Sequence, residues 1–266
     1  MTDPMTRLLA PAGRLRVGLY PGSPGSLIVG DSPEENKGLG FELGRAFAQY
    51  LNVVFDPVVF PTNGDILAQA KLEKLDFVFV NATSVRAEYL AFAEPVLFTD
   101  QTYLVGAHCQ IQTIAQIDKS GLKVGVSAGS TSEATLPKLL LNAQVVSTNS
   151  LEEVVTLLSS CQIDAFATNK AILCELADQL KGARILEGAW GRENIAIGIP
   201  KSRVQGLPVV ARFCEHIKQN GLLAEAVRRA GMRGADAPPA TPRAAADPSY
   251  LPSPAPSPAV FFCSRS

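Results

Sequence analysis

The sequence predicts an α/β fold made of βα units around mostly parallel sheets, and three observations carry that expectation. Short β-branched or wholly apolar runs alternate with amphipathic helical stretches from Arg14 onward. Several runs end in glycine and small polar residues, the turn chemistry that open α/β sheets place at the carboxyl ends of their strands. The chain has 266 residues, 47% hydrophobic and 18% charged. That is enough apolar material for one large or two medium cores.

Leu15 to Tyr20 reads as a strand running into the turn Pro21-Gly22-Ser23-Pro24-Gly25. Gly38 to Leu51 reads as a helix, with Leu43, Phe47, Tyr50 and Leu51 on one face. Val53 to Phe60 is β-branched and aromatic, and Pro57 marks it as an irregular or edge strand. Ile66 to Leu72 is a short helix, and Phe77 to Val80 suits a strand buried on both faces. A second round follows Pro95. Gln101 to Gly106 is extended, and Leu122 to Ser127 is a strand. Ser150 and Glu153 have capping-box spacing at the head of a helix. Ala165 to Thr168 is a strand followed by a helix through Leu180. Asn194 to Ile199 is strand-like, and Leu207 to Arg229 is helical, with Val209, Phe213 and Ile217 on one stripe. From Ala235 to Ser266, proline, alanine and serine dominate, a composition that predicts a disordered tail.

Lys plus Arg number 24 against 25 Asp plus Glu, and no basic stripe appears, so a nucleic-acid partner is not expected. Five scattered cysteines and two histidines have no clustered metal-ligand spacing, and no metal or other cofactor is expected. The opening stretch is broken by Pro4 and Pro11 and, as written, does not read as a secretory signal. No run of about twenty apolar residues appears that could span a bilayer.

Two segments gather polar groups after predicted strands. In Val80-Asn81-Ala82-Thr83-Ser84-Val85-Arg86 an arginine follows a polar turn. A guanidinium fork suits a carboxylate or phosphonate. The alternative is a helix capped by Thr83 with Arg86 in solvent. In Ser127-Ala128-Gly129-Ser130-Thr131-Ser132-Glu133 a tight turn precedes a helix start whose free N–H groups favour an anion. A plain cap without a ligand is the alternative there.

These segments belong to an ordered series: RLRVGLYPG, GLGFELGRAFAQYL, LEKLDFVFVNATSVRAEYLAFAEPV, LKVGVSAGSTSE and SSCQIDAFATNKAIL. The series resembles the periplasmic amino-acid-binding proteins, the family 3 extracellular solute-binding proteins that feed ABC transporters. The resemblance covers residues 14–231. It implies a two-lobed, type II periplasmic binding protein-like clamp, each lobe a mostly parallel sheet flanked by helices. Lobe one would comprise residues 14–102 and 195–231, and lobe two the insertion 104–191. It further implies a periplasmic monomer that passes a small ligand to an ABC transporter permease. Carried over by matching, Arg86 receives a ligand carboxylate, with Asn81 and Thr83 as polar neighbours. Ser130 and Thr131 approach from lobe two, and Tyr20 lines the pocket or packs in the core.

One position departs from the family. Where amino-acid binders carry an aspartate for the ligand's ammonium, this chain has Asn169, beside Lys170. A neutral amide cannot neutralise a buried ammonium. The expected ligand therefore shifts from a standard α-amino acid toward an organic anion, or toward a molecule whose amine is held elsewhere. Asn169 also cannot titrate, which argues against the dehydratase chemistry, resembling cyclohexadienyl dehydratase, that the clamp supports elsewhere. A freestanding ligand sensor is the other alternative.

Overall fold

The computed structural model describes residues 3–236. In chain order the elements begin with helix α1 (Pro4–Leu9), strand β1 (Arg14–Leu19), α2 (Leu39–Tyr50), β2 (Val54–Val59), α3 (Asn63–Lys71), β3 (Val78–Asn81) and β4 (Leu90–Phe92). They continue with β5 (Leu97–Val105), β6 (Lys123–Ser127), α4 (Thr131–Leu139), β7 (Gln144–Thr148), α5 (Leu151–Ser159), β8 (Ala165–Asn169) and α6 (Lys170–Gln179). The last are β9 (Arg184–Ile185), β10 (Gly191–Pro200), α7 (Leu207–Gln219), α8 (Leu222–Arg229) and β11 (Ala235–Asp236).

Strands β1 and β2 pair in parallel around the crossover helix α2, and β6 pairs in parallel with both β7 and β8. These are the βα units that the alternating pattern predicts. The antiparallel pairings lie between them: β10 lies between β3 and β5, and β5 pairs β8. Pro57 sits in β2, a strand with one partner, where its missing N–H costs no ladder bond.

Separate cores explain the two lobes. In one, Leu15, Val17, Leu43 and Phe47 pack against Ile197 and Phe213. The Phe47 ring lies 4.8 Å from that of Phe213 and 5.9 Å from that of Phe77. Truncating Phe47 to alanine would cost about 3–5 kcal/mol. In the other lobe, Tyr103, Val124 and Val126 fill one face of the sheet, and Leu104, Phe166 and Leu173 fill the other. Strand β5 begins in the first core at Leu97 and ends in the second at Val105. Strand β10 runs back, from a start next to Trp190 on the second core to Ile199 in the first.

A charge cluster ties lobe one together. Asp76 is 1% exposed and accepts from Arg16 Nε at 2.8 Å, Arg16 Nη2 at 2.7 Å and Arg203 Nη1 at 2.6 Å. Burial alone would raise its pKa, but the bonds from Arg16 and Arg203 outweigh it and hold the carboxyl below its usual range.

Two expectations need correction. The stretch from Leu207 to Arg229 is two helices, because Gly221 takes φ +81 and turns the chain between α7 and α8. The predicted tail begins too early. Ala235 and Asp236 pair with Thr99 and Phe98 of β5, and residues 237–266 lie outside the described residues. The approach to that pairing forms a strap. Met232 is buried in the first core, while Arg233 reaches α6 of the second lobe, at 2.6 Å from Asp178 and 3.0 Å from Glu175.

Candidate functional site

A cavity of about 280 Å³ opens where the lobes meet. Lobe one contributes the ends of β1 and β3, lobe two the heads of α4, α5 and α6, and the antiparallel ladder contributes β10. The N-caps of the three lobe-two helices, Ser130, Ser150 and Asn169, all line it. Each cap spends its side-chain oxygen on the helix, accepting from Glu133, Glu153 and Ile172 backbone N–H groups. The positive ends of three helices therefore face one space.

The lobes touch around this space. Asn81 Nδ2 donates to Thr131 Oγ1 at 3.2 Å across the cleft. Beside it, the turn at Gly129 meets the start of α3 so closely that a Cβ on Gly129 would lie 2.4 Å from the Gly64 Cα. Gly129 has φ +71, a conformation that side chains disfavour, so glycine is required there twice over.

Arg86 is 6% exposed, which sets aside the solvent-facing alternative. It follows β3 on a single turn, where its own N–H donates to Thr83 Oγ1 at 3.3 Å. Its Nη1 donates to the Asn81 carbonyl at 2.8 Å, and it forms no ion pair among the described residues. Burial lowers its pKa, opposed chiefly by the charge of Glu193. One edge of the fork is thus anchored while the guanidinium faces the cavity.

Glu193 is the residue that the sequence reading missed. It is 9% exposed, in β10, and lines the cavity. Oε1 accepts from Gln101 Nε2 and Thr131 Oγ1, both at 3.2 Å, and Oε2 accepts from Asn169 Nδ2 at 3.0 Å. Burial raises its pKa, and the charge of Arg86 with the hydrogen bonds from Asn169 and Thr131 only partly offsets it. Asn169 cannot titrate, as the sequence indicates, but this side chain places a carboxylate beside it in the same cavity.

Of the residues singled out from sequence, Tyr20, Asn81, Arg86, Ser130, Thr131 and Asn169 all line the cavity. Thr83 does not; it caps the turn that holds Arg86. Asn81, Thr131 and Asn169 are largely engaged with one another's surroundings. Asn81 Oδ1 accepts from Asn194 N–H at 2.9 Å, and Thr131 passes a hydrogen bond from Asn81 to Glu193. Tyr20 stands half-buried in the wall, and burial pushes its phenol up to about 12.

With this geometry in hand, comparison with known proteins is informative. No family model matches the chain. A glutamine-binding protein from Geobacillus stearothermophilus is 24% identical over 194 residues, 66% of this chain and 73% of that protein. An amino acid ABC transporter substrate-binding protein from Streptococcus pneumoniae, bound to L-arginine, superposes with a TM-score of 0.75 at 22% identity, covering 84% of this chain and 96% of that one. The fold is that of the two-lobed amino-acid-binding proteins of ABC transporters. An ancestral amino acid-binding protein, described as a precursor of cyclohexadienyl dehydratase, superposes with a TM-score of 0.74 at 21% identity over 84% of this chain and 98% of that one. The cavity draws on both lobes. Here Arg86 comes from one lobe, Ser130 from the other, and Glu193 from the strand between them.

Proposed function

We propose that this chain is the solute-binding component of an ABC-type uptake transporter, capturing a small, amino-acid-like carboxylate without changing it chemically. The observation that carries this reading is Arg86, a buried cation facing the inter-lobe cavity without a carboxylate partner among the described residues. A desolvated guanidinium of this kind is stabilised by a ligand anion that accepts two parallel hydrogen bonds. Three helix N-termini add to the same preference.

In this reading lobe one is residues 14–102 with 195–231, and lobe two is 104–191. Lobe closure traps the ligand, and the monomer then docks on a membrane permease from the periplasmic side. Among the described residues no helix is long and apolar enough to cross a membrane. Arg86 receives the carboxylate, Thr83 sets its turn, Tyr20 and Ser130 line the pocket, and Asn81, Thr131 and Asn169 hold the lobes and Glu193 in place.

Calorimetry tests this reading. Arg86→Ala should weaken binding by about 2–5 kcal/mol, the cost of removing one side of a buried charge pair. Arg86→Lys should also bind poorly, because a point charge does not reproduce the fork. Unaltered affinity in Arg86→Ala would remove this arginine from the site and the anion from the reading. A second reading, acid/base catalysis of a dehydratase type, is favoured by the buried, titratable Glu193 in the cavity. Incubation with prephenate or arogenate decides it, since aromatic product would make the chain an enzyme.

A further inference from the structure

We infer that Met232, carried on the strap that follows α8, is a specificity-determining wall of the cavity, and that Arg233 is the positioning residue that holds this wall against the second lobe. This rests on the reading of the cavity as a site for a small, amino-acid-like carboxylate, and names what selects the rest of that molecule.

The apolar lining of the cavity comes from Phe79 and Ile195 in lobe one, Leu151 and Ile172 in lobe two, and Met232. A ligand whose carboxylate is spent on Arg86 has these side chains to bury the remainder of its body against. Ile172 and Ile195 are β-branched and stiff at χ1, and Phe79 is a rigid ring. Methionine is unbranched, with a polarisable thioether that fills irregular gaps. Met232 is therefore the part of the lining that adjusts to the shape of what is bound.

Its backbone, by contrast, is held. Gly231 and Gly234 take φ +68 and +69 and turn the chain before and after it. The Met232 N–H donates to the Val227 carbonyl at 3.2 Å. The side chain is buried and runs to lobe one, where a Cβ built on Gly25, another lining residue, would lie 4.0 Å from Met232 Cε.

The next residue grips the other lobe. Arg233 sets its two Nη atoms on the two Asp178 oxygens, at 3.2 and 2.6 Å, and Nη2 also reaches Glu175 at 3.0 Å. Gly234 then lies so close to the Lys170 stem that a Cβ would come 2.6 Å from Lys170 Cδ. Lys170, Glu175 and Asp178 all belong to α6, the helix whose head supplies Asn169 and Ile172 to the cavity. Ala171, between those two, is buried with the first core rather than with the cores of its own lobe. The strap thus ties its wall residue to the helix that lines the same cavity from lobe two.

Met232 is directly observable, because the other methionines of the chain are Met1 and Met5, and Met5 stands exposed on α1. The test labels the methionine methyl groups of the full chain for magnetic resonance and assigns Met232 by Met232→Leu. The probes are the twenty common L-amino acids with L-norvaline and L-norleucine. Any that binds by calorimetry should shift the Met232 methyl resonance and leave that of Met5 in place. Met232→Ala should change the affinity ratio of larger to smaller side chains roughly ten-fold or more in favour of the larger. Arg233→Ala should move the Met232 resonance before any ligand is added and flatten the preference for side-chain size, and Arg233→Lys should restore part of both. If Arg233→Ala lowers the melting temperature but leaves the resonance and the preference unaltered, its role is structural and the positioning claim fails. If a probe binds without moving the Met232 methyl, or Met232→Ala keeps the wild-type preference, the wall is overturned while the reading of the cavity stands. If no probe binds, both fall together.

Discussion

The contact between Gly129 and Gly64 allows closure to be attacked without touching the ligand. A Cβ on Gly129 would lie 2.4 Å from the Gly64 Cα and 3.1 Å from its nitrogen. Carbon atoms settle at about 3.5–4.0 Å, so the rim must part by about 1 Å to admit a methyl group. Overpacking of this kind costs about 1–3 kcal/mol, and here it falls on the closed form alone. Gly129→Ala should therefore weaken ligand binding roughly 5- to 150-fold. The substitution also places alanine at φ +71, but that strain of about 1–2 kcal/mol is present in open and closed forms and cancels from the affinity. Gly121→Ala separates the two effects, since Gly121 has φ +84 and nothing within 4 Å of an added Cβ. It should lower the melting temperature much as Gly129→Ala does and leave Kd unaltered. Gly64→Ala, without left-handed strain and 3.2 Å from the Gly129 Cα, should show a smaller loss of affinity. Calorimetry and thermal melts on the three variants suffice. Wild-type affinity in Gly129→Ala would mean that ligand capture does not need this contact to close.

Two further outcomes follow from charge placement. Asn169→Asp keeps a competent helix cap but sets two carboxylates 3.0 Å apart, so its melting temperature should fall near neutral pH and recover as the pH is lowered and one of them takes a proton; a pH profile parallel to the wild type would refute the contact. Asp76→Asn should destabilise by about 2–4 kcal/mol, discounted for the partial exposure of Arg16. Because the folded-state pKa of Asp76 is lowered, its contribution is complete above the unfolded value of about 4 and is lost as pH falls through the folded one. Acid titration of stability should thus be steeper in the wild type than in the variant, and equal slopes would assign the acid lability elsewhere.

Much of this architecture is legible in the residues. Helix α2, strands β1, β6 and β8, and the caps at Ser130 and Ser150 follow from apolar period, β-branching and local hydrogen-bonding chemistry. Arg86 was legible through the family resemblance; its own segment left an arginine in solvent equally open, since nothing local shows that the chain folds over it. Glu193 was not, for a physical reason: its partners Gln101, Thr131 and Asn169 are distant in sequence and meet only through sheet pairing. A signal did exist. Strand residues two apart share a face, and Ile195, Ile197 and Ile199 are all buried in the first core. Extending that alternation back by one step places Glu193 inward as well. Reading the strand from Asn194 onward stopped one residue short of it. The break at Gly221 was masked by apolar residues that continue the helical stripe on both sides of it.

The strap from Met232 to Asp236 gives the clamp an external latch. Its last residues pair with β5, the strand that enters both cores, whereas Arg233 grips α6 of the second lobe. Swinging the lobes apart would strain that grip. Arg233, Glu175 and Asp178 are all partly exposed to solvent, where dissolved ions compete for them. If the proposed capture of a ligand requires the lobes to part against this grip, ligand release measured by stopped flow should quicken as salt is raised, and a rate independent of salt would remove the strap from the release step.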